Sequence, residues 1–372
     1  MQLIDTLPDN LADCRYCSQV SKASGEDPIG SAPQIDYWII VEVPQPWPIA
    51  MFEENPMISQ IFPLIKKLIF RRGVMVRPIA IAPDPDYSTP GFTRILYYKR
   101  PAQQFTKYHK EEYLVPEDQT ISLVLGLLNR LLGQKNTVTP FLSYQQDTQH
   151  IREMLVCTHT QVDLACGRFG TPIYRQLRKD HGQSNLRVWQ STHFGGHQFA
   201  PTLVDLPTGQ FWGHLEPENL PQLVQRSGDH RQLKPFYRGW AGGTKFEQIA
   251  ERAVWMDVGW DWLTHAKKVR TGQKGLTGIK RLLYPVLRHI PINLLQLWLD
   301  RWTSDATWVK VDLAYQSLHR QGRYQVTVVE ADKVITARNS AKTKDAPIQT
   351  IKTQQYRVTQ LTNLDSENKA GA

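Results

Sequence analysis

The sequence predicts an α/β protein: a thioredoxin-like core whose element order is read twice, followed by an additional α+β C-terminal region. Three observations carry this. Residues 37–133 and 152–228 each read as strand, helix, strand, strand, helix. The phrase LVPED at 114–118 returns as LEPEN at 215–219. Beyond residue 236 the order stops, giving way to one amphipathic helix, a basic stretch and three strand-like segments.

The elements follow in order. YWIIVEV at 37–43 is continuous, apolar and rich in β-branched residues, the pattern of a strand buried on both faces. MISQIFPLIKKLIFR at 57–71 has helical spacing, and Pro63 should kink or shorten it. Strands are expected at 74–82 and 93–100, and a helix over 116–133 that opens at Pro116 and closes at Gly133. In the second round a strand covers 152–160, a helix 171–182 and a strand 185–192. A hairpin turning at PTG covers 200–215, and a short helix 216–228. Residues 244–269 read as one helix, with Thr244 and Glu247 in capping-box spacing. Strands are expected at 307–318, 323–334 and 353–361. The implied division is an N-terminal α/β domain at 1–148, a degenerate copy, then the ligand-bearing domain at 149–235. A helical and β region at 236–362 and a disordered tail at 363–372 complete it.

Composition narrows the function. The 372 residues carry a formal charge of +9, which favours acidic partners. The N-terminus is acidic and has no apolar core of a signal peptide, and no run is long enough to span a membrane. A cytoplasmic, reducing compartment is expected, with the four cysteines free or metal-bound rather than disulfide-linked.

Four soft or borderline ligands fall within one segment. Cys157 and Cys166 have eight residues between them, and His193 and His197 have three, in the loop STHFGGHQF. The paired glycines make that loop a poor helix. Thiolate and imidazole bind zinc or the iron of an iron–sulfur cluster. The strand containing Cys157 and the strand preceding His193 should lie parallel, so both pairs can meet at one sheet edge. Cys166 is expected in a loop before Gly167. The 26 residues between Cys166 and His193 do not match a zinc finger. From the residues alone, zinc, a cluster and no metal all stay open. His159 is read as a satisfied or supporting donor and His214 as a strand residue. Cys14 and Cys17 form an isolated CxxC ahead of the first strand.

The segments VCTHTQVDLACG and VWQSTHFGGHQFAPTLVDLPTGQFWGHL resemble the sucrase/ferredoxin-like family, as does the opening CSQVSKASGEDPIGSAPQIDYWIIVEVPQPW. Thioredoxin-like [2Fe–2S] ferredoxins are similar, with a Cys-x3-Cys pair where this chain has His193 and His197. The resemblance therefore implies a [2Fe–2S] cluster on Cys157, Cys166, His193 and His197. Gly195 and Gly196 would let the backbone approach it, and His159 would stand beside it. It implies an electron-transfer protein, a carrier more than an enzyme, with an acidic redox partner protein. No carboxylate pair reads as a sucrose-cleaving site. The alternatives are a zinc-stabilised interaction module and a thiol oxidoreductase using Cys14 and Cys17. Residues 267–301 hold eight Lys or Arg against one acid, Asp300, interleaved with LLYPVL and INLLQLWL. That stretch is a candidate for peripheral contact with an anionic membrane. Nucleic acid is not expected.

Overall fold

The computed structural model describes residues 14–49, 59–183, 185–318, 320–343 and 346–367. The start of the expected 57–71 helix, most of the N-terminal segment and the last five residues of the expected disordered tail lie outside these.

A short helix, α1 (Cys17–Ala23), precedes a ten-stranded mixed sheet. Its first half comprises β1 (Tyr37–Glu42), α2 (Ile61–Arg72), β2 (Val76–Ile81), β3 (Phe92–Lys99), β4 (His109–Pro116), α3 (Thr120–Leu131) and the two-residue β5 (Gln145–Gln146). Its second half comprises β6 (Arg152–Cys157), α4 (Leu164–His181), β7 (Leu186–Ser191), β8 (Leu203–Leu206), β9 (Gln210–Trp212), α5 (Leu220–Gln225) and β10 (Tyr237–Trp240). The spatial order is β10-β9-β8-β6-β7-β2-β1-β3-β4-β5. In the first half β1 pairs parallel with β2 and antiparallel with β3, which pairs with β4. In the second half β6 pairs parallel with β7 and antiparallel with β8, which pairs with β9. The two halves meet through an antiparallel contact of β2 with β7.

The sheet is buried on both faces, as the continuous apolar strands require. Ile39, Ile95 and Tyr97 pack with Leu68 of α2 and Leu127 of α3, whereas Trp38, Ile40, Leu96 and Tyr98 face the opposite way. In β6, Met154 and Val156 share a core with Ile173 and Leu177 of α4, and Leu155 and Cys157 alternate to the other side.

Beyond the sheet lies α6 (Lys245–Val258), capped by the reciprocal Thr244–Glu247 pair. A second, antiparallel sheet follows: β11 (Ala266–Gly275), β12 (Trp308–Gln316), β13 (Gln321–Ala337) and β14 (Thr350–Asn363). Between β11 and β12 stand α7 (Gly278–Leu287) and α8 (Asn293–Trp302). A buried ion pair ties the second sheet to α6: Lys267 of β11 donates to Glu251 at 2.6 Å.

Four expectations are corrected. The helix expected over 244–269 stops at Val258, because Gly259 adopts φ +88° and the chain continues as β11. Of the two effects expected of Pro63, α2 shows no kink: the described helix opens at Ile61, and Pro63 falls in its first turn, where no backbone bond is lost. β4 went unread because its inward residues include Lys110 and Glu112, which disguise a buried strand. His214 lies outside β9, in a loop at φ +52°.

Candidate metal centre

β6 and β7 run parallel, with Cys157 opposite Ser191 at their shared C-terminal edge. That register brings the end of one strand and the loop after the next to the same place. Cys166 arrives by another route. It lies in the first turn of α4 rather than in a loop, because Asp163 caps that helix seven residues earlier than the apolar spacing indicates. Gly170 has no Cβ where the Cys157 carbonyl oxygen lies, so α4 can press against the end of β6. Cys166 is thereby set beside Cys157.

His193 completes the set. Its Nδ1 is 3.7 Å from the Sγ of Cys157 and 3.7 Å from that of Cys166. All three donor atoms lie within 4.8 Å of one another. Metal–sulfur and metal–nitrogen lengths of a tetrahedral zinc site put S and N about 3.6 Å apart, so the observed spacing fits donors on one ion. Burial alone would raise the Cys157 thiol, yet hydrogen bonds from Cys166 and His193 hold it well below the ordinary thiol range. The Cys166 thiol moves up, because it is hydrogen-bonded to Cys157 and because it is buried.

Two guanidinium groups flank this set. Arg238 is buried and, among the described residues, donates to neutral oxygens: Ser31 Oγ and Ser31 O, both at 3.1 Å, and Gly195 O at 2.9 Å. Burial lowers its pKa to about 10, against the opposing pull of Cys157 and Cys166. Arg77 donates to the His193 carbonyl at 3.2 Å, and its buried Nε has no partner among the described residues. When deprotonated, Cys157 acts on both of these cations and Cys166 on Arg238. Such a setting favours thiolates, the form in which cysteine binds metal.

His197 sits next to this set but is held by other residues. Its ring centroid is 5.6 Å from that of His193. Its Nδ1 is 3.4 Å from Asp163 Oδ2 and 3.4 Å from Cys17 Sγ. Asp163 also accepts from Ala165 N–H at 2.9 Å, Ser340 N–H at 2.9 Å, Ser340 O–H at 2.6 Å and the Cys17 thiol at 3.6 Å. With its lone pairs so engaged, the carboxylate reads as an anchor for His197, leaving Nε2 as the ring nitrogen open to a ligand. A carboxylate behind a histidine is the usual support of a metal-binding imidazole.

The remaining expected residues fall as follows. His159 is buried: its Nε2 is 2.9 Å from Trp47 O, and its Nδ1 accepts from the His193 backbone N–H at 3.4 Å. It therefore supports the His193 loop. Gly195 and Gly196 have φ of +99° and +82°, and the room left by the missing Cβ of Gly196 is taken by the Arg238 guanidinium. Cys14 and Cys17 have different partners. Cys14 is half-buried and donates to Gln19 Oε1 at 3.2 Å. Burial, with the charge of Asp163, pushes the Cys17 thiol up to about 12. A thiol kept protonated is a poor nucleophile, so Cys17 is poorly suited to open a thiol exchange. Asp163, Ser340, Arg77 and Arg238 were missed. Only Asp163 left a signal, as an N-cap ahead of LACG.

The sequence matches the sucrase/ferredoxin-like family over residues 28–239. Among curated proteins it is similar to "Altered inheritance of mitochondria protein 32" of Clavispora lusitaniae, 25% identical over 135 residues, 35% of this chain and 50% of that one. It is similar to the protein of the same name from Meyerozyma guilliermondii, 24% identical over 35% of this chain and 49% of that one. The Debaryomyces hansenii protein of that name is 27% identical, over 36% and 53%. The chain thus spans about half the length of the curated relatives it matches. No solved structure shows significant similarity to it. These findings correct the expected function. The relatives are named for mitochondrial inheritance, and nothing in the comparisons supports electron transfer through an iron–sulfur cluster. The same name gives no support to the expected cytoplasmic location. No helix among the described residues is long and apolar enough to cross a membrane.

Proposed function

The chain belongs to the sucrase/ferredoxin-like family, and from that premise we propose that it is a metal-binding protein. Cys157, Cys166 and His193 hold the metal, and His197 is the fourth donor. One observation carries the reading: two buried thiols and an imidazole nitrogen converge beside two guanidinium groups that, among the described residues, donate to neutral oxygens. The donor set takes zinc, or iron with sulfide. Either filling supplies positive charge that keeps both thiols deprotonated. The chain's own residues do the rest. Arg77 and Arg238 stabilise the thiolates, Asp163 and Cys17 orient His197, and His159 fixes the backbone of His193.

The identical strand order of the two halves supports a duplicated thioredoxin-like unit in which the second copy alone keeps metal donors. What the names of the yeast relatives say of mitochondrial inheritance is a phenotype. It names no reaction, so the chemistry is read from this pocket.

Metal and acid-labile sulfide analysis of the anaerobically purified chain tests the proposal. A thiophilic metal should be present in the wild type and absent from Cys157→Ser and Cys166→Ser. Sulfide with iron marks a cluster, and zinc without sulfide a single ion. A metal-free wild type after reconstitution, or variants that retain the metal undiminished, overturns it.

A further inference from the structure

Residues 278–302 lie outside the metal centre, and most of their apolar side chains other than Tyr284 and Leu299 face the wrong way for a core. In α7, Ile279, Leu282, Leu283 and Val286 recur at i, i+3, i+4 and i+7, a single helical stripe. A stripe of this kind normally packs inward. Here it is turned outward, with Leu282 74% and Val286 68% exposed, while the helix is held by Tyr284 on its other side. α8 continues the surface with Leu294 and Trp298, the latter stacked on Trp302 at 4.9 Å between ring centroids. Of the fifteen exposed large apolar side chains among the described residues, seven fall within 279–298, so this is one patch and not scattered exposure.

The patch is rimmed by positive charge. α8 docks on α2 through Asn293, which donates to the Arg72 carbonyl at 2.8 Å. The outer face of α2 carries exposed Lys66, Lys67 and Arg71 around Phe70, itself 65% exposed. Arg281 and Arg301 are exposed on α7 and α8. The acids nearby are already neutralised: Asp300 pairs with Lys274, and Asp305 with Lys280. What remains is an apolar strip with stacked indoles, bordered by cations that no acid among the described residues of the patch balances.

The geometry points to a peripheral membrane surface: α7, α8 and α2 dock on an anionic phospholipid bilayer. Leu282 and Val286 enter the acyl boundary, and the Lys and Arg side chains meet the headgroups. Charge complementarity selects this occupant. A neutral apolar partner would leave the cations unmatched, whereas an anionic leaflet satisfies both halves of the pattern. The inference does not depend on the metal centre.

Co-sedimentation of the full chain with vesicles tests it. The probes are phosphatidylcholine alone and phosphatidylcholine with added phosphatidylglycerol. The wild type should pellet with the anionic vesicles only, and less as salt rises. The double variant Leu282→Glu, Val286→Glu should bind at least about tenfold more weakly, and so should Lys67→Glu, Arg71→Glu. All four side chains are exposed, so the fold is preserved. Failure of the wild type to bind anionic vesicles overturns the proposal, as does undiminished binding by the Leu282/Val286 variant. A wild-type dimer that this variant splits assigns the face to a second copy of the chain and overturns it too.

Discussion

Removing the Asp163 carboxylate tests how the pocket is held together. In Asp163→Ala four groups lose their acceptor at once: the Ala165 N–H of the helix cap, the Ser340 N–H, the Ser340 hydroxyl and the weakly donating Cys17 thiol. Loss of a side-chain N-cap costs about 1 kcal/mol. A buried N–H left without a partner costs about 1–3 kcal/mol. The Ser340 hydroxyl can rotate to another acceptor and adds little. The expected total is thus about 2–4 kcal/mol. Asp163→Asn keeps one carbonyl oxygen and remains a good cap, so it should cost about 1 kcal/mol. Urea unfolding followed by tryptophan fluorescence measures both, and metal analysis of the same samples reads the effect on His197. The alanine variant should also lose metal more readily than wild type, because His197 loses its anchor. An alanine variant within about 0.5 kcal/mol of wild type, the range of an ordinary surface change, would refute the network as described.

Three further outcomes follow from buried groups elsewhere. Lys267→Met leaves the Glu251 carboxylate with only Tyr237 O–H and Trp262 N–H as donors. It should cost about 3–5 kcal/mol, and adding Glu251→Gln should recover part of that loss in a denaturant double-mutant cycle. Gly196→Ala drives a Cβ into the Arg238 guanidinium, whereas Gly195→Ala meets no atom within 4 Å, so only the former should displace Arg238. Both pay for positive φ, so the difference between their thermal midpoints isolates the contact. His214 is kept neutral by burial, helped by Lys22 and Arg238, with its pKa lowered to about 3. Below pH 6.5 the unfolded chain takes up a proton that the folded chain refuses, so stability falls as pH falls from 6.5 toward 3. The loss between pH 7 and pH 5 is about 2 kcal/mol, and it should disappear from the stability–pH curve of His214→Gln.

The parts of the molecule legible in the sequence were those governed by local periodicity. YWIIVEV reads as a two-faced buried strand because every residue contributes to the pattern, and the Thr244–Glu247 box marks its helix start from four residues. β4 was hidden because Lys110 and Glu112 point inward to an ion-pair network with Arg94, Glu153 and Arg187. A polar residue satisfied by distant partners cannot be told from a solvated one by spacing. The same reason divides the candidate site. The parallel β6–β7 register accounts for Cys157 and His193 meeting, and type and spacing were enough to nominate them. The supports were not visible: Ser340 reaches Asp163 across 177 residues of chain, and Arg238 reaches Gly195 across 43. The CxxC spacing marked Cys17 as a residue of the local structure, but not that its thiol turns inward to Asp163, because that contact spans 146 residues of chain.

X-ray absorption at the edge of whichever metal the purified chain carries tests the central claim most directly. Coordination by Cys157, Cys166 and His193 predicts at least two sulfur scatterers at about 2.3 Å together with nitrogen at about 2.0 Å. At least one sulfur should be lost in Cys166→Ser. A first shell of oxygen and nitrogen alone would contradict it.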